Sequence, residues 1–319
     1  MVDNFYVINY FFKTKDSKNL GFTNLKLHYN KVMTLCSFIP LKVHCWGGLG
    51  SQLYALATAM QLQERFVKRR IILVLHTGGV TKRASEVTTI NNGLFVIKQV
   101  DDYAINSDPE SVNQISNQDL RAKANLIVKK VLIKTGFLGL ANTTEEFKKM
   151  RPWVISVKGH YLYRQPPLSF YDYLLSQISG YRQLKKKNNH VLAIHYRLGD
   201  LLNLSQKSIY PVEKIVSEVV RVTKVWPDAS VVVYSDSPQE VRQILVSAGL
   251  RQQFEVSGGS TLQVVGECLD ADFFIGTNSK ISLWIVNIRR YLGLVESNYL
   301  QGWPEQYLIH RSTQLGVSK

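Results

Sequence analysis

Apolar residues come in short runs separated by polar helical periods, and the two alternate along the chain. Leu41 to Trp46 reads as a strand. Ser51 to Lys68 reads as a helix with Leu53, Leu56, Ala57, Met60 and Val67 on one stripe. Arg70 to His76 (RIILVLH) is the next strand. Residues 84 to 118 are rich in Asn, Ser and Asp and resist assignment; Leu120 to Thr135 then reads as a helix and Trp153 to Tyr161 as a strand. A second series begins near residue 190. It has strands at Val191 to Tyr196, Ser230 to Tyr234, 254 to 257 and Ala271 to Ile275, and helices at Pro211 to Trp226, Pro238 to Ala248, Thr261 to Leu269 and Ser279 to Leu292. Strands alternating with amphipathic helices predict α/β architecture with parallel sheets.

The polar stretch RQLKKKNNH, residues 182 to 190, separates the two series. The expected domains are therefore 1–185 and 186–319, with residues 1–40 an extension that fits neither series. No solenoid repeat is present.

Composition narrows the class. The 319 residues are 45% hydrophobic and 20% charged, which fits a chain with a sizeable core and not a disordered one. Three scattered cysteines, Cys36, Cys45 and Cys268, predict neither a disulfide framework nor a zinc site. No apolar run approaches the roughly 20 residues that span a bilayer, so the expectation is a soluble, cytoplasmic protein. The net charge of +15 favours anionic partners: nucleic acid, phosphorylated small molecules or an anionic membrane face. That charge is dispersed in pairs such as Arg69-Arg70, Lys148-Lys149 and Arg289-Arg290, each read as a solvated face. No nucleic-acid-binding pattern accompanies it, so no nucleic-acid partner is expected.

Open parallel sheets bind ligands beyond the carboxyl ends of their strands. Three loops at such ends carry candidate chemistry. In VHCWGGLGSQLY, Gly47, Gly48 and Gly50 lie between strand and helix, where glycine lets backbone approach a ligand and the helix start offers N–H donors. The spacing is neither G-x-G-x-x-G nor a P-loop. In VLAIHYRLGD, a strand delivers His195, Arg197 and Asp200 to one loop, and the Arg197 guanidinium suits paired hydrogen bonds to phosphate or carboxylate. In ADFFIGTNSKISLW, Gly276, Thr277, Asn278 and Ser279 precede a helix, an arrangement that suits either a phosphate cradle or a helix cap.

In order and spacing these segments resemble the α1,2-fucosyltransferases of glycosyltransferase family 11. GGLGSQLY (47–54) is similar to that family's G-G-L-G-N-Q-L/M-F, HYRLGD (195–200) to H-x-R-R-G-D, YSDS (234–237) to FSDD, and NSKISLW (278–284) to N-S-S-F-S-W-W. VKGHYLYRQ (157–165) resembles G-Y-W/F-Q-S-E, so the resemblance runs from about residue 43 to 290. The H-x-R-x-G-D element is shared with the wider fucosyltransferase group. Ser51, Leu198, Lys280 and Ile281 depart from the pattern, and the Leu198 change removes one basic contact unless another Arg or Lys supplies it.

The resemblance implies a GT-B type fold, two Rossmann-like domains with parallel sheets facing a central cleft. The first domain would bind the acceptor and the second the nucleotide sugar. It implies inverting, metal-independent transfer of L-fucose from GDP-fucose to a galactose-type hydroxyl, with no cofactor. Arg197 would stabilise the departing diphosphate, helped by His195, with Asp200 holding the loop. Asp236, Asn278, Ser279 and Ser282 would bind the donor. Gly47, Gly48, Gly50, Ser51 and Gln52 would form the cleft loop. The pair Asp270 and Asp272 has D-x-D spacing but is read as structural. His195, Asp200 and Glu267 remain open as general base. The expected partners are a GDP-sugar and an oligosaccharide acceptor, lipid-linked at an anionic membrane face in O-antigen or capsule assembly. The rival readings are another sugar or a protein acceptor, or an inactive nucleotide-sugar- or glycan-binding module.

Overall fold

The structure is a computed structural model and describes residues 38–77, 86–101, 120–161, 165–181, 190–198, 211–294, 298–300 and 303–309. Residues 1–37 of the expected 1–40 extension, the expected boundary at 185/186 and Asp200 lie outside these residues. Two five-stranded sheets, parallel throughout, organise the described chain. The first contains β1 (Leu41–Trp46), β2 (Ile71–His76), β3 (Val96–Val100), β4 (Leu138–Leu140) and β5 (Ser156–Lys158), in the order β3-β2-β1-β5-β4. The second contains β6 (Val191–His195), β7 (Ser230–Tyr234), β8 (Phe254–Ser257), β9 (Phe273–Gly276) and β10 (Asn298–Leu300), in the order β10-β9-β6-β7-β8. The second sheet grows outward in both directions from its first strand, the doubly wound pattern of a Rossmann-like unit; in the first, the chain reaches the edge strand β4 before returning to β5 beside β1. The expected α/β class with two such units is what the chain adopts.

The helices are α1 (Leu49–Arg65), α2 (Val87–Asn91), α3 (Leu120–Thr135), α4 (Thr144–Lys148), α5 (Leu168–Ile178), α6 (Val212–Val225), α7 (Pro238–Ser247), α8 (Thr261–Asp270) and α9 (Lys280–Tyr291). Several differ from the sequence expectation. The first starts two residues earlier than Ser51 and ends at Arg65, so Val67 is 75% exposed instead of buried on the stripe. The strand expected over 153–161 shrinks to Ser156–Lys158, and β4 and α4 fill the neighbouring stretch. A capping box of Thr143 and Glu146 starts α4. The polar stretch 84–118 contains α2 and β3, whose mostly exposed face conceals any apolar period.

Two of the basic pairs are not wholly solvated. Arg69 is buried and donates to the carbonyls of Ile39, Pro152 and Val154, tying the entry of β1 to the segment before β5. Arg289 is fully buried and donates to the carbonyls of Cys268 and Ala271 and to Asn298 Oδ1, tying α9 to the end of α8 and to β10. A buried guanidinium is tolerable only when its donors are met in this way.

The two sheets share one core across α1, α5, α8 and α9. Trp284 of α9 is completely buried against Tyr54 of α1 and Phe170 and Tyr171 of α5, with ring centroids 4.6, 5.5 and 5.8 Å away. Its indole N–H donates to the Gly50 carbonyl at 3.0 Å. Glycine makes two of these approaches possible. A Cβ on Gly50 would lie 2.8 Å from Lys280 Cβ and 3.1 Å from the Ile281 nitrogen. A Cβ on Gly266 of α8 would lie 2.3 Å from the carbonyl oxygen of Tyr181, in the 3₁₀ turn Ser179–Tyr181.

Gly266→Ala should therefore push α8 off that turn and cost about 1–3 kcal/mol. Gly180→Ala, whose Cβ would meet nothing within 4 Å, should change stability by less than about 0.5 kcal/mol. Urea unfolding midpoints at unchanged slope measure both.

Candidate active site

The strand order places a crevice outside the carboxyl ends of β6 and β9, where the second sheet changes direction. The loop after β1 meets it from the first sheet. Together they enclose a cavity of about 330 Å³ whose lining includes Gly48, Gly50, Ser51, His195, Arg197, Asp236, Ser279 and Lys280. The three loops picked out in the sequence are thus one site in space.

Two helices begin at its wall. The first is α1, with Gly48 as an extended N-cap and no side-chain cap. Gly47 sits at φ +80°, a left-handed conformation that favours glycine. Gln52 holds this loop from behind: its amide nitrogen donates to the Gly47 carbonyl at 2.8 Å and its amide oxygen accepts from the Val87 N–H at 3.2 Å. The second is α9, capped by Ser279, whose hydroxyl accepts from the Ser282 N–H at 3.0 Å. First-turn N–H groups have no intrahelical acceptor, and the helix dipole adds partial positive charge at both starts.

His195 ends β6 and is fixed by α9. Its Nδ1 lies 2.7 Å from Ser282 Oγ and 3.3 Å from Ser279 Oγ. The Ser282 hydroxyl already accepts from the Thr277 N–H at 3.1 Å and from the Ser279 hydroxyl at 3.1 Å. Each hydroxyl can donate to or accept from His195 Nδ1, so the pair holds the ring in place in either tautomer. Burial pushes the imidazole pKa down to about 4, opposed by Asp236 and reinforced by Arg197. The ring is neutral at physiological pH.

Arg197 follows two residues later and lines the cavity. Between them Tyr196 is buried, and Leu198 is fully buried in the core beneath β6. The Leu198 N–H donates to Asp236 Oδ1 at 2.9 Å, which ties the Arg197 loop to the end of β7. Across the cavity, Lys280 donates from Nζ to Ser51 Oγ at 2.9 Å. Burial, and then the nearby Arg197 charge, lower the Lys280 pKa to about 8.

The predicted residues divide into two groups. Gly48, Gly50, Ser51, His195, Arg197, Asp236 and Ser279 line the cavity. Gly47, Gln52 and Ser282 stand behind it and shape the residues that do. Asn278 is exposed, and the cap is Ser279. Asp272 accepts the Val191 N–H at 2.9 Å at the opposite, amino-terminal end of β6, and Asp270 ends α8. Glu267 accepts from Gln263 along α8. Among the lining residues that sequence reasoning did not assign to the site, two carry charge. Lys280 registers there only as a departure from the family pattern, although its place at a helix start marks it. Glu86 enters from the unassigned polar stretch and accepts the Thr261 N–H at 3.1 Å.

No protein-family model matches the sequence, and no curated protein matches it. Solved structures with a similar course of chain include a family 9 glycosyl transferase from Veillonella parvula, at 9% identity, 78% of this chain and 79% of that one, and TM-score 0.42. Another is NodZ α-1,6-fucosyltransferase soaked with GDP-fucose, at 13% identity, 80% and 92% coverage, and TM-score 0.42. A third is POFUT1 in complex with GDP, at 14% identity, 83% and 99% coverage, and TM-score 0.41. Likenesses this distant carry no activity over to the chain, and its chemistry is read from the site's own residues.

The neutral His195 has a pH consequence. In the unfolded chain a histidine takes up its proton near pH 6.5, whereas His195 in the folded chain does so only at about 4. Between these values the unfolded state binds more protons, so stability should fall as pH drops from about 6.5 toward 4. His195→Gln should flatten that part of the stability curve, and the ring proton resonances of His195 should titrate with a midpoint near 4.

Proposed function

We propose that the protein is an inverting glycosyltransferase that moves L-fucose from GDP-fucose to a galactose-type hydroxyl of a glycan, α1,2-linked. The observation that carries this reading is the convergence of the three motif-bearing loops on one cavity, with Arg197, Lys280 and two helix starts around it. Such a wall suits a diphosphate, the leaving group of a nucleotide-sugar transfer. The sugar–phosphate bond breaks with its electron pair going to the diphosphate oxygen. Arg197 meets the charge that grows there, with the neutral His195 ring lining the same cavity.

His195 does not suit the role of general base, because burial lowers its pKa to about 4 and makes it a weak base. Glu86 lines the cavity, and we assign to it the proton of the attacking hydroxyl. The domain division at 185/186 follows the same logic: the first sheet presents the acceptor wall and the second the donor wall. A lipid-linked acceptor in polysaccharide assembly suits the +15 charge at an anionic membrane face. Among the described residues no helix is long and apolar enough to cross a membrane.

Purified protein incubated with GDP- and UDP-sugars and galactose-ended acceptors tests the reading. Transfer from GDP-fucose should persist in excess EDTA, because Arg197, Lys280 and the helix starts meet the diphosphate charge. Loss on chelation, restored by a divalent cation, would move that task to a metal. Arg197→Lys keeps the charge and loses the planar fork, so it should lose most of the rate. Arg197→Ala should lose about 10²–10³ in rate and weaken GDP binding, measured by calorimetry, while the melting curve stays cooperative. Glu86→Gln should lower kcat and leave GDP affinity in place; an unchanged kcat removes Glu86 from the chemistry.

A further inference from the structure

Lys280 occupies the first position of α9, where its stem reaches across the cleft to the opposite sheet's helix. Its ammonium donates to Ser51, a neutral hydroxyl in the first turn of α1. Both residues line the main cavity, and both also line a small recess bounded by Trp46, Gly159, His160 and Tyr161. The ammonium is therefore largely buried at the junction of the two spaces, and Arg197 lies close enough to disfavour its charge. A second cation beside a first, with two helix starts pointing the same way, is an unfavourable arrangement in an empty cavity. It becomes favourable when an anion carrying about two charges enters.

We propose that Lys280 is the second cation of the diphosphate subsite: it rests on Ser51 in the empty cleft and passes its ammonium to the diphosphate when the donor binds. This rests on the reading of the cavity as a nucleoside-diphosphate site and adds to it a residue, a resting state and a proton. Lys280 at about 8 is near half protonation at pH 8, and a bound diphosphate favours the charged form. Binding at that pH then takes up as much as about half a proton. A guanidinium does not titrate near pH 8 and cannot supply the signal. His195, at about 4, and the Cys45 thiol, raised to about 12 by burial, titrate far from pH 8. The remaining ionisable groups at the cavity and recess are Glu86, Asp236, His160 and the Tyr161 phenol.

The test is calorimetric titration of GDP and GMP into the full chain at pH 8, in two buffers of different ionisation enthalpy. The wild type should bind GDP with net proton uptake. Lys280→Met should weaken GDP by roughly tenfold to a hundredfold, weaken GMP less, and abolish the uptake. Lys280→Arg should retain GDP binding without the uptake, since guanidinium does not titrate there; it decides the matter if the Met variant fails to fold. Uptake that persists in Lys280→Arg would assign the proton to another group and overturn the proposal, as would wild-type GDP affinity in a folded Lys280→Met. Wild-type binding without proton exchange overturns it too. A wild type that binds none of GDP, UDP and inorganic pyrophosphate overturns the diphosphate reading itself, a different result from any of these.

Discussion

The close approach of two helix starts governs the molecule. α1 and α9 belong to different sheets, yet the backbone of one at Gly50 lies against the first residues of the other. Trp284 closes the contact by filling a slot lined by Tyr54, Phe170 and Tyr171 and by donating to the Gly50 carbonyl. An indole with its N–H satisfied buries large apolar area without leaving an orphan donor. The same contact serves two ends. It joins the cores of the sheets, and it sets two positive helix termini on one cavity. A larger residue at position 50 would disturb stability and ligand electrostatics together.

Charge at the site is arranged in layers of different rigidity. His195 is held by Ser282 and Ser279, with its backbone carbonyl accepting from the Thr277 hydroxyl at 3.2 Å, so its ring orientation is fixed before any ligand arrives. Asp236 anchors the Arg197 loop through the Leu198 N–H. Lys280 reaches its partner through a long stem and a single hydroxyl contact, which an anionic ligand can replace. Fixed donors reduce reorganisation during reaction, whereas an ammonium that changes partners links binding to the joint between the sheets.

Much of this is legible in the sequence, for physical reasons that differ by element. Buried parallel strands such as Val191–His195 and Ser230–Tyr234 are continuous apolar runs, and α6 has a clean helical stripe, so these emerge directly. β3 escapes because most of its residues are exposed, and β4, β5 and β10 are only three residues long. The site is legible where residue type implies chemistry, as with the Arg197 guanidinium after a strand. It is not legible where a residue acts through a partner distant in sequence. Glu86 and Thr261 are 175 residues apart, and Lys280 and Ser51 are 229 apart. Arg69 and Arg289 mislead for the opposite reason, since charge in a pair looks solvated until the carbonyls that satisfy it are seen.

Ser51, Leu198 and Lys280 take distinct places around the loops that meet at the cavity. Leu198 cannot carry charge to the cavity, because its side chain is fully buried in the core beneath β6 while its N–H holds Asp236. A positive charge stands at the cavity at Lys280, at the start of the helix that follows the neighbouring strand β9. Ser51 is the hydroxyl that Lys280 touches. The long stem of Lys280 thus meets a short side chain on α1, while Leu198 fills the core beneath β6. A longer side chain at position 51 would crowd Lys280, and an arginine at position 198 would bury a charge in the core. Ser51, Leu198 and Lys280 are therefore expected to be energetically coupled, so their effects on ligand affinity should not add.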